Sequence, residues 1–214
     1  MDPSLRITEI FYSLQGETDT VGIPTVFVRL TGCPLRCTYC DTAYAFTGGE
    51  KMPLDTVLSR VAEYGCRYVT VTGGEPLAQP ACIDLLNSLV EMGYVVSLET
   101  SGAIDVSAVN PQVVKVIDLK TPSSGELVRN LYSNLDYLSH QDQVKFVIAD
   151  QADYEWSVQK IREHRLTERC QVLFSPVENS MPAAQLADKI LADRLPVRFQ
   201  IQLHKYLWND ARGK

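Results

Sequence analysis

The sequence predicts an α/β fold, an incomplete (β/α) barrel of about six parallel strands. Two patterns carry that expectation. From about residue 53 onward, short runs rich in Val, Ile and Phe alternate with longer amphipathic runs, the mark of repeated βα units. The chain has 214 residues, 45% of them hydrophobic, enough for one substantial core but fewer than the ~250 of a full eight-unit barrel. An open sheet with helices on both faces suits the same strand count, and periodicity alone does not separate the two; the incomplete barrel is the favoured reading.

The elements follow in order. LRITEIFYS (5–13) pairs at a sheet edge, and TVFVRLTG (25–32) is a strand that runs straight into a group of cysteines. Further strands are expected at RYVTVTGG (67–74), YVVSLETSG (94–102), VVKVIDLK (113–120), QVKFVIAD (143–150), CQVLFSP (170–176) and VRFQIQ (197–202). Each is rich in Val, Ile or Phe and closes on turn or polar residues, as buried parallel strands do. Helices are expected over 54–64, 81–92, 152–164 and 183–192, the last beginning just after Pro182. In either architecture ligands gather beyond the C-terminal ends of the strands, so the polar residues that close each strand become site candidates.

Charge and segment composition exclude several classes. A formal charge of −6 leaves no cationic excess to neutralise a phosphate backbone, so nucleic acid is not an expected partner. No apolar run approaches the ~20 residues that span a bilayer, and MDPSLRITEI lacks a basic-then-apolar leader pattern. A cytoplasmic protein without a membrane partner is expected.

Three of the six cysteines crowd into GCPLRCTYC, while Cys66, Cys82 and Cys170 are scattered. Cys66 precedes an apolar run and Cys82 falls within helical periodicity, so both read as small core residues. Cys33, Cys37 and Cys40 form CxxxCxxC on the loop leaving a strand, where three thiolates can converge on one soft metal centre. Structural zinc normally takes four protein ligands, and His140, His164 and His204 all lie far along the chain. A distant histidine completing a zinc site remains the alternative. In a cubane cluster held by three cysteines, one iron is left open to chelate a small molecule.

CxxxCxxC followed by the strand-terminal Thr72-Gly73-Gly74-Glu75-Pro76 closely resembles the radical S-adenosylmethionine (SAM) superfamily. The resemblance implies a [4Fe-4S] cluster on Cys33, Cys37 and Cys40 whose open iron binds SAM, a one-electron reagent that side chains cannot supply. It implies SAM contacts from Tyr39, Gly73, Gly74, Glu75, Glu99, Ser101, Asp118, Leu119 and Lys120, and a looser adenine contact where Phe174, Ser175, Pro176 and Val177 end a strand. Two adjacent glycines at a strand end let a ligand approach the backbone closely.

FYSLQGET, Pro24, FVRLTGCPLRCTYCDT, ETSG and the near-terminal QLHKYLW are similar to the 7-carboxy-7-deazaguanine synthases of the queuosine pathway. That resemblance implies one radical SAM domain over 1–214, with segment 1–50 carrying substrate and cluster contacts. It implies conversion of 6-carboxy-5,6,7,8-tetrahydropterin to 7-carboxy-7-deazaguanine with loss of ammonia. Leu14, Gln15, Gly16, Arg29 and Thr72 are the implied pterin contacts, Arg29 pairing with the carboxylate. Thr42 matches the position that ligates Mg²⁺, and Asp41 is the alternative ligand on chemistry alone. An electron donor such as flavodoxin or ferredoxin and a homodimer are also implied. Two features depart from the family: Thr18 stands where glycine is usual, and the chain reads WNDARGK where some members place a terminal proline near the substrate, so no C-terminal substrate contact is carried over. A radical SAM activase that makes a glycyl radical on a partner protein is the rival within the superfamily; LQGE and HKYL argue against it. A non-catalytic zinc module is the rival of another class.

Overall fold

The computed structural model describes residues 3–209 and 211–214. One nine-stranded sheet runs through it in the order β3-β1-β2-β4-β5-β6-β7-β8-β9. The strands are β1 (Ser4–Leu14), β2 (Pro24–Leu30), β3 (Glu50–Pro53), β4 (Tyr68–Gly73), β5 (Val95–Thr100), β6 (Val114–Asp118), β7 (Gln143–Ile148), β8 (Gln171–Pro176) and β9 (Arg198–Phe199). β2 and β4 to β9 are parallel, each paired with the next. The parallel set therefore has six strands of five or more residues and a two-residue seventh, in line with the expected count; the strand expected over 197–202 shortens to that stub. The helices are α1 (Leu54–Glu63), α2 (Cys82–Glu91), α3 (Gln151–His164), α4 (Ala183–Ala192) and α5 (Leu203–Trp208). The first four match the amphipathic runs to within a residue or two. None of the helices is long and apolar enough to cross a membrane.

Strand order decides between the two architectures left open by periodicity. A doubly wound sheet must reverse its order to place helices on both faces. Here the parallel strands follow chain order without reversal, so right-handed crossovers all fall on one face. The barrel is incomplete in its helices too: β5 to β6 and β6 to β7 are joined by turns and short 3₁₀ segments.

The two faces of the sheet differ in composition with period 2, as strand geometry requires. Val28, Val71, Leu98, Ile117 and Phe146 point outward into the core with Val57, Val61, Leu85, Leu86, Leu89 and Ile161 of the helices. Thr72, Glu99, Asp118 and Lys145, on alternate positions of the same strands, point inward to a cavity. The outer layer contains one buried ion pair, Lys115 Nζ to Asp142 Oδ2 at 3.1 Å.

β1 is antiparallel to both β2 and β3, so the edge belongs to β3 rather than to β1 as expected. β3 is four residues, EKMP, too short and polar to stand out as a strand. Beyond β1 the chain crosses the inner face: Gln15 Nε2 reaches Thr70 Oγ1 of β4 at 3.2 Å, and the Asp19 amide donates to Gln143 Oε1 of β7 at 3.1 Å. On a flat sheet β1 and β7 would be five spacings, roughly 24 Å, apart. So short a segment reaches β7 because the sheet is curled around it.

Candidate active site

A cavity of about 800 Å³ fills the concave side of the sheet. Its rim carries the loop after β2, and Cys33, Cys37 and Cys40 line it, all half-buried and free. The loop is tied down from two sides. Gly32 donates its amide to Ala45 O at 2.8 Å, and Thr38 binds the loop after β6 through its amide to Ser124 O and its hydroxyl to Ser123 O. Arg36 braces the turn by donating to the carbonyls of Cys33 and Leu35 while its guanidinium lies 4.2 Å from the Phe46 ring centroid. Burial pushes all three thiols above the usual range, Cys37 to about 11, so each must lose a proton before it can ligate metal. Among the described residues no three His, Cys, Asp or Glu side chains converge tightly enough to hold a single metal ion. Three cysteines around a common cavity without a fourth ligand fit a cluster with one open iron and do not fit zinc.

Around this rim stand the strand-end residues. Tyr39 lines the cavity and its hydroxyl lies 3.1 Å from Thr121 Oγ1. Asp118 and Lys120 pair at 2.9 Å. Burial alone would lower the Lys120 pKa, but Asp118 beside it holds the ammonium charged. Gly73, Gly74 and Ser101 also face the cavity, as do Ser175, Pro176 and Val177 at the end of β8. Phe174 instead packs edge-on against Phe146 in the core.

Two residues expected at the cofactor stand behind the cavity wall. Glu75 is fully buried and outside the cavity lining. Its carboxylate accepts from the Leu77 amide, the Thr100 hydroxyl, and the Ser101 amide and hydroxyl, so it binds the end of β4 to the end of β5. Leu119 is a core residue, 1% exposed, because the strand's alternation turns it outward between Asp118 and Lys120. The glycines also serve a purpose beyond the expected one. A Cβ on Gly73 would lie 2.3 Å from Leu30 O, and one on Gly74 the same distance from Gly32 O. What approaches these glycines is the backbone of β2 and the cysteine loop.

Deeper in the cavity, Leu14, Gln15, Gly16, Arg29, Thr72 and Glu99 come together. Glu99 accepts from Thr72 Oγ1 at 2.9 Å and Gln15 Nε2 at 3.3 Å. Enclosure, and then the neighbouring charge of Glu17, raise its pKa. Arg29, expected to need an incoming carboxylate, already has one: its Nε donates to Glu9 Oε1 at 2.7 Å, and Tyr44 donates to the same oxygen at 2.8 Å. Thr42 donates its hydroxyl hydrogen to Asp41 Oδ1 at 2.8 Å, while Gln202 donates to Asp41 Oδ2 at 2.7 Å. Burial works against the Asp41 carboxylate, but those two donors and Lys205 hold its pKa below the usual value.

Several lining residues were not anticipated. Lys145 forms an ion pair with Glu17 from the middle of β7. Partial desolvation would lower its pKa, but Glu17 and Asp118 more than offset it. The C-terminal segment, to which no substrate contact was carried over, contributes Gln202, His204, Lys205 and Arg212. Gly16 has no Cβ because His204 Nδ1 would lie 2.5 Å from it, and its carbonyl accepts from the Leu203 amide. Lys145 had a signal: it interrupts an apolar strand on the period-2 register, and its Cα partner is Asp118.

A curled parallel sheet with three half-buried cysteines at its rim defines a radical SAM protein. The sequence pattern of the Radical SAM superfamily matches residues 27–167, and the chain belongs to that superfamily. Within it, the chain belongs to the 7-carboxy-7-deazaguanine synthase family. It is 45% identical over 213 residues to the 7-carboxy-7-deazaguanine synthase of Chlorobaculum tepidum, covering 98% of this chain and 97% of that one. It is 37% identical over 211 residues to that of Thermoplasma acidophilum, covering 98% and 100%. The crystal structure of QueE from Escherichia coli superposes with a TM-score of 0.78 over 94% of this chain and 95% of the other at 22% identity, which bears on the fold.

Proposed function

We propose that this chain converts 6-carboxy-5,6,7,8-tetrahydropterin to 7-carboxy-7-deazaguanine with loss of ammonia, in 7-deazapurine and queuosine biosynthesis. The observation that carries the reading is the single cavity that holds the three cysteines at its rim and Gln15, Arg29, Thr72 and Glu99 in its depth, in a chain of this family. The cluster and SAM, held by these residues, would supply one-electron radical chemistry at the pterin, which side chains alone cannot provide.

The protein's own part is positioning and shielding. Cys33, Cys37 and Cys40 hold the cluster. Tyr39, Gly73, Gly74, Ser101, Asp118 and Lys120 bed the SAM, with the Asp118–Lys120 pair offering both an acceptor and a donor at one strand end. Leu14, Gln15 and Gly16 take the pterin ring edge through backbone and amide groups, and Thr72 and Glu99 complete a hydrogen-bonded floor. Arg29 holds the carboxylate with the guanidinium nitrogens that Glu9 leaves over. Thr42 would ligate Mg²⁺: donating its hydroxyl hydrogen to Asp41 leaves its lone pairs available, while Asp41 is engaged by Gln202 and Lys205. Residues 1–214 act as one domain, as a homodimer in the cytoplasm, with flavodoxin or ferredoxin as the electron donor.

The test is anaerobic incubation of reconstituted enzyme with reductant, SAM, Mg²⁺ and the tetrahydropterin, with product read by mass spectrometry. Formation of the deazaguanine acid and ammonia in equal amounts is expected. SAM cleavage without any product from the pterin refutes the substrate and leaves only the superfamily.

A further inference from the structure

We propose that Arg212 is a specificity-determining residue of the substrate pocket, supplying with Arg29 the positive charge that selects a carboxylated substrate. The inference deepens the pterin reading and rests on it. Its starting point is a charge problem. Arg29 is the only residue expected to meet the substrate carboxylate, yet its Nε is bound to Glu9 Oε1 at 2.7 Å. The pair is neutral, and an anion brought to Arg29 meets the carboxylate of Glu9 next to it. Like charges at such distances repel appreciably in a partly enclosed site, so a neutral pair is a poor trap for an anion.

The C-terminal segment brings a second guanidinium to the same wall. Arg212 Cζ lies 4.2 Å from the centroid of the Tyr44 ring, and Arg29 Cζ lies 5.9 Å from it. Tyr44 donates its hydroxyl to Glu9, so one ring lies beside both arginines and is bonded to the anion that pairs with Arg29. The adjacent Gly213 rests beside Phe11 at ordinary contact distance, a Cβ there lying 3.9 Å from the Phe11 Cβ, and Phe11 is stacked on Phe27 at 5.0 Å between centroids. Arg212, Arg29, Glu9 and Tyr44 all line the cavity. The wall thus has two guanidinium groups to one carboxylate, and the net positive charge is restored. A planar guanidinium resting on an aromatic face also keeps its edge free to bind a carboxylate in two-point fashion.

The experiment compares reconstituted wild-type holoenzyme, Arg212→Gln and Arg212→Lys on the carboxylated tetrahydropterin, and measures equilibrium binding of an analogue whose carboxylate is a carboxamide. Expected is a roughly fivefold rise in KM for Arg212→Gln with kcat little changed, the scale of a solvent-accessible ion pair. Arg212→Lys falls between, the salt dependence of KM flattens in Arg212→Gln, and the carboxamide binds both proteins alike. An unchanged KM, or an equal loss for acid and amide, overturns the proposal. If wild type makes no deazapurine while cleaving SAM, the pterin reading fails and this inference with it.

Discussion

Replacing Gly74 by alanine tests whether the paired glycines serve the cysteine loop. An alanine Cβ would lie 2.3 Å from Gly32 O, 2.7 Å from Gly32 C and 2.8 Å from Cys33 Cβ. An ordinary carbon–oxygen contact is about 3.3–3.6 Å, so the loop must retreat by about 1 Å. Two of those three atoms are backbone and cannot rotate aside. Overpacking of this kind costs about 1–3 kcal/mol, well below the about 5–15 kcal/mol that holds a domain together, so the variant folds. A shift of about 1 Å at the group that carries the chemistry is worth about 100-fold in rate. Iron and sulfide content after reconstitution, SAM cleavage and thermal unfolding are read together. The expected result is a Tm lowered by only a few degrees and cleavage lowered by about 100-fold. Gly93→Ala is the control: its φ of +85° strains an alanine, but nothing lies within 4 Å of the added Cβ, so it lowers Tm without touching the cluster. Full iron loading and wild-type cleavage in Gly74→Ala would refute the reasoning.

Two further substitutions separate stability from function. Enclosure and the charge of Glu17 hold the Glu99 carboxyl above its usual range; the native state therefore keeps this proton to higher pH than the unfolded chain, and stability falls as pH rises from the unfolded toward the folded pKa. Glu99→Gln removes that loss, so Tm at pH 7 should rise, while kcat/KM for the pterin falls. The Tm advantage should fade below about pH 4, where the carboxyl is protonated in both states; a gain independent of pH would refute the electrostatic cause. Asp142→Ala removes the partner of Lys115 at 3.1 Å, and with it the acceptor of the Lys115 and Ser139 amides. A buried ammonium left alone costs about 3–5 kcal/mol, so urea unfolding should show that loss, and a loss under 1 kcal/mol would mean that water reaches Lys115.

The helices α1 to α4 were legible because each has one apolar stripe and no long-range demand, and the parallel strands because their outward residues are nearly all Val, Ile, Leu or Phe. Strand order was not legible, since periodicity says nothing about which neighbours pair. The same strands hid part of the site. Thr70, Ser97 and Lys145 sit on alternate positions of runs that look buried throughout, as do Thr72 and Glu99, which only the motifs brought forward, and this alternation is what a sheet facing helices on one side and a polar cavity on the other must show. Glu75 and Leu119 went the other way: motif position put them at the cofactor, while the strand's alternation and the hydrogen-bonding demand of a buried carboxylate put them behind it. Glu9 beside Arg29, and the return of Gln202 to Arg212, depend on contacts between distant segments for which local sequence holds no signal. Thr18 takes φ +68°, a conformation natural to glycine and strained for a β-branched residue. Its departure from the family's usual glycine therefore preserves the turn and changes only its strain.

The segment from Gln15 to Asp19 is the chord of an arch. A closed barrel keeps its radius because every strand has two neighbours, whereas a sheet that ends in a two-residue strand is free to flatten. Here the radius is set by the bonds of that chord to Thr70, Gln143 and Lys145, and two of its residues, Gln15 and Gly16, are also proposed to meet the pterin. The distance from the cysteine rim to the substrate floor is thus tied to the same hydrogen bonds that would grip the substrate. A ligand that loosens the chord widens the arch and draws its own reacting carbon away from the rim, so a poor fit at the floor is registered as lost reach at the top.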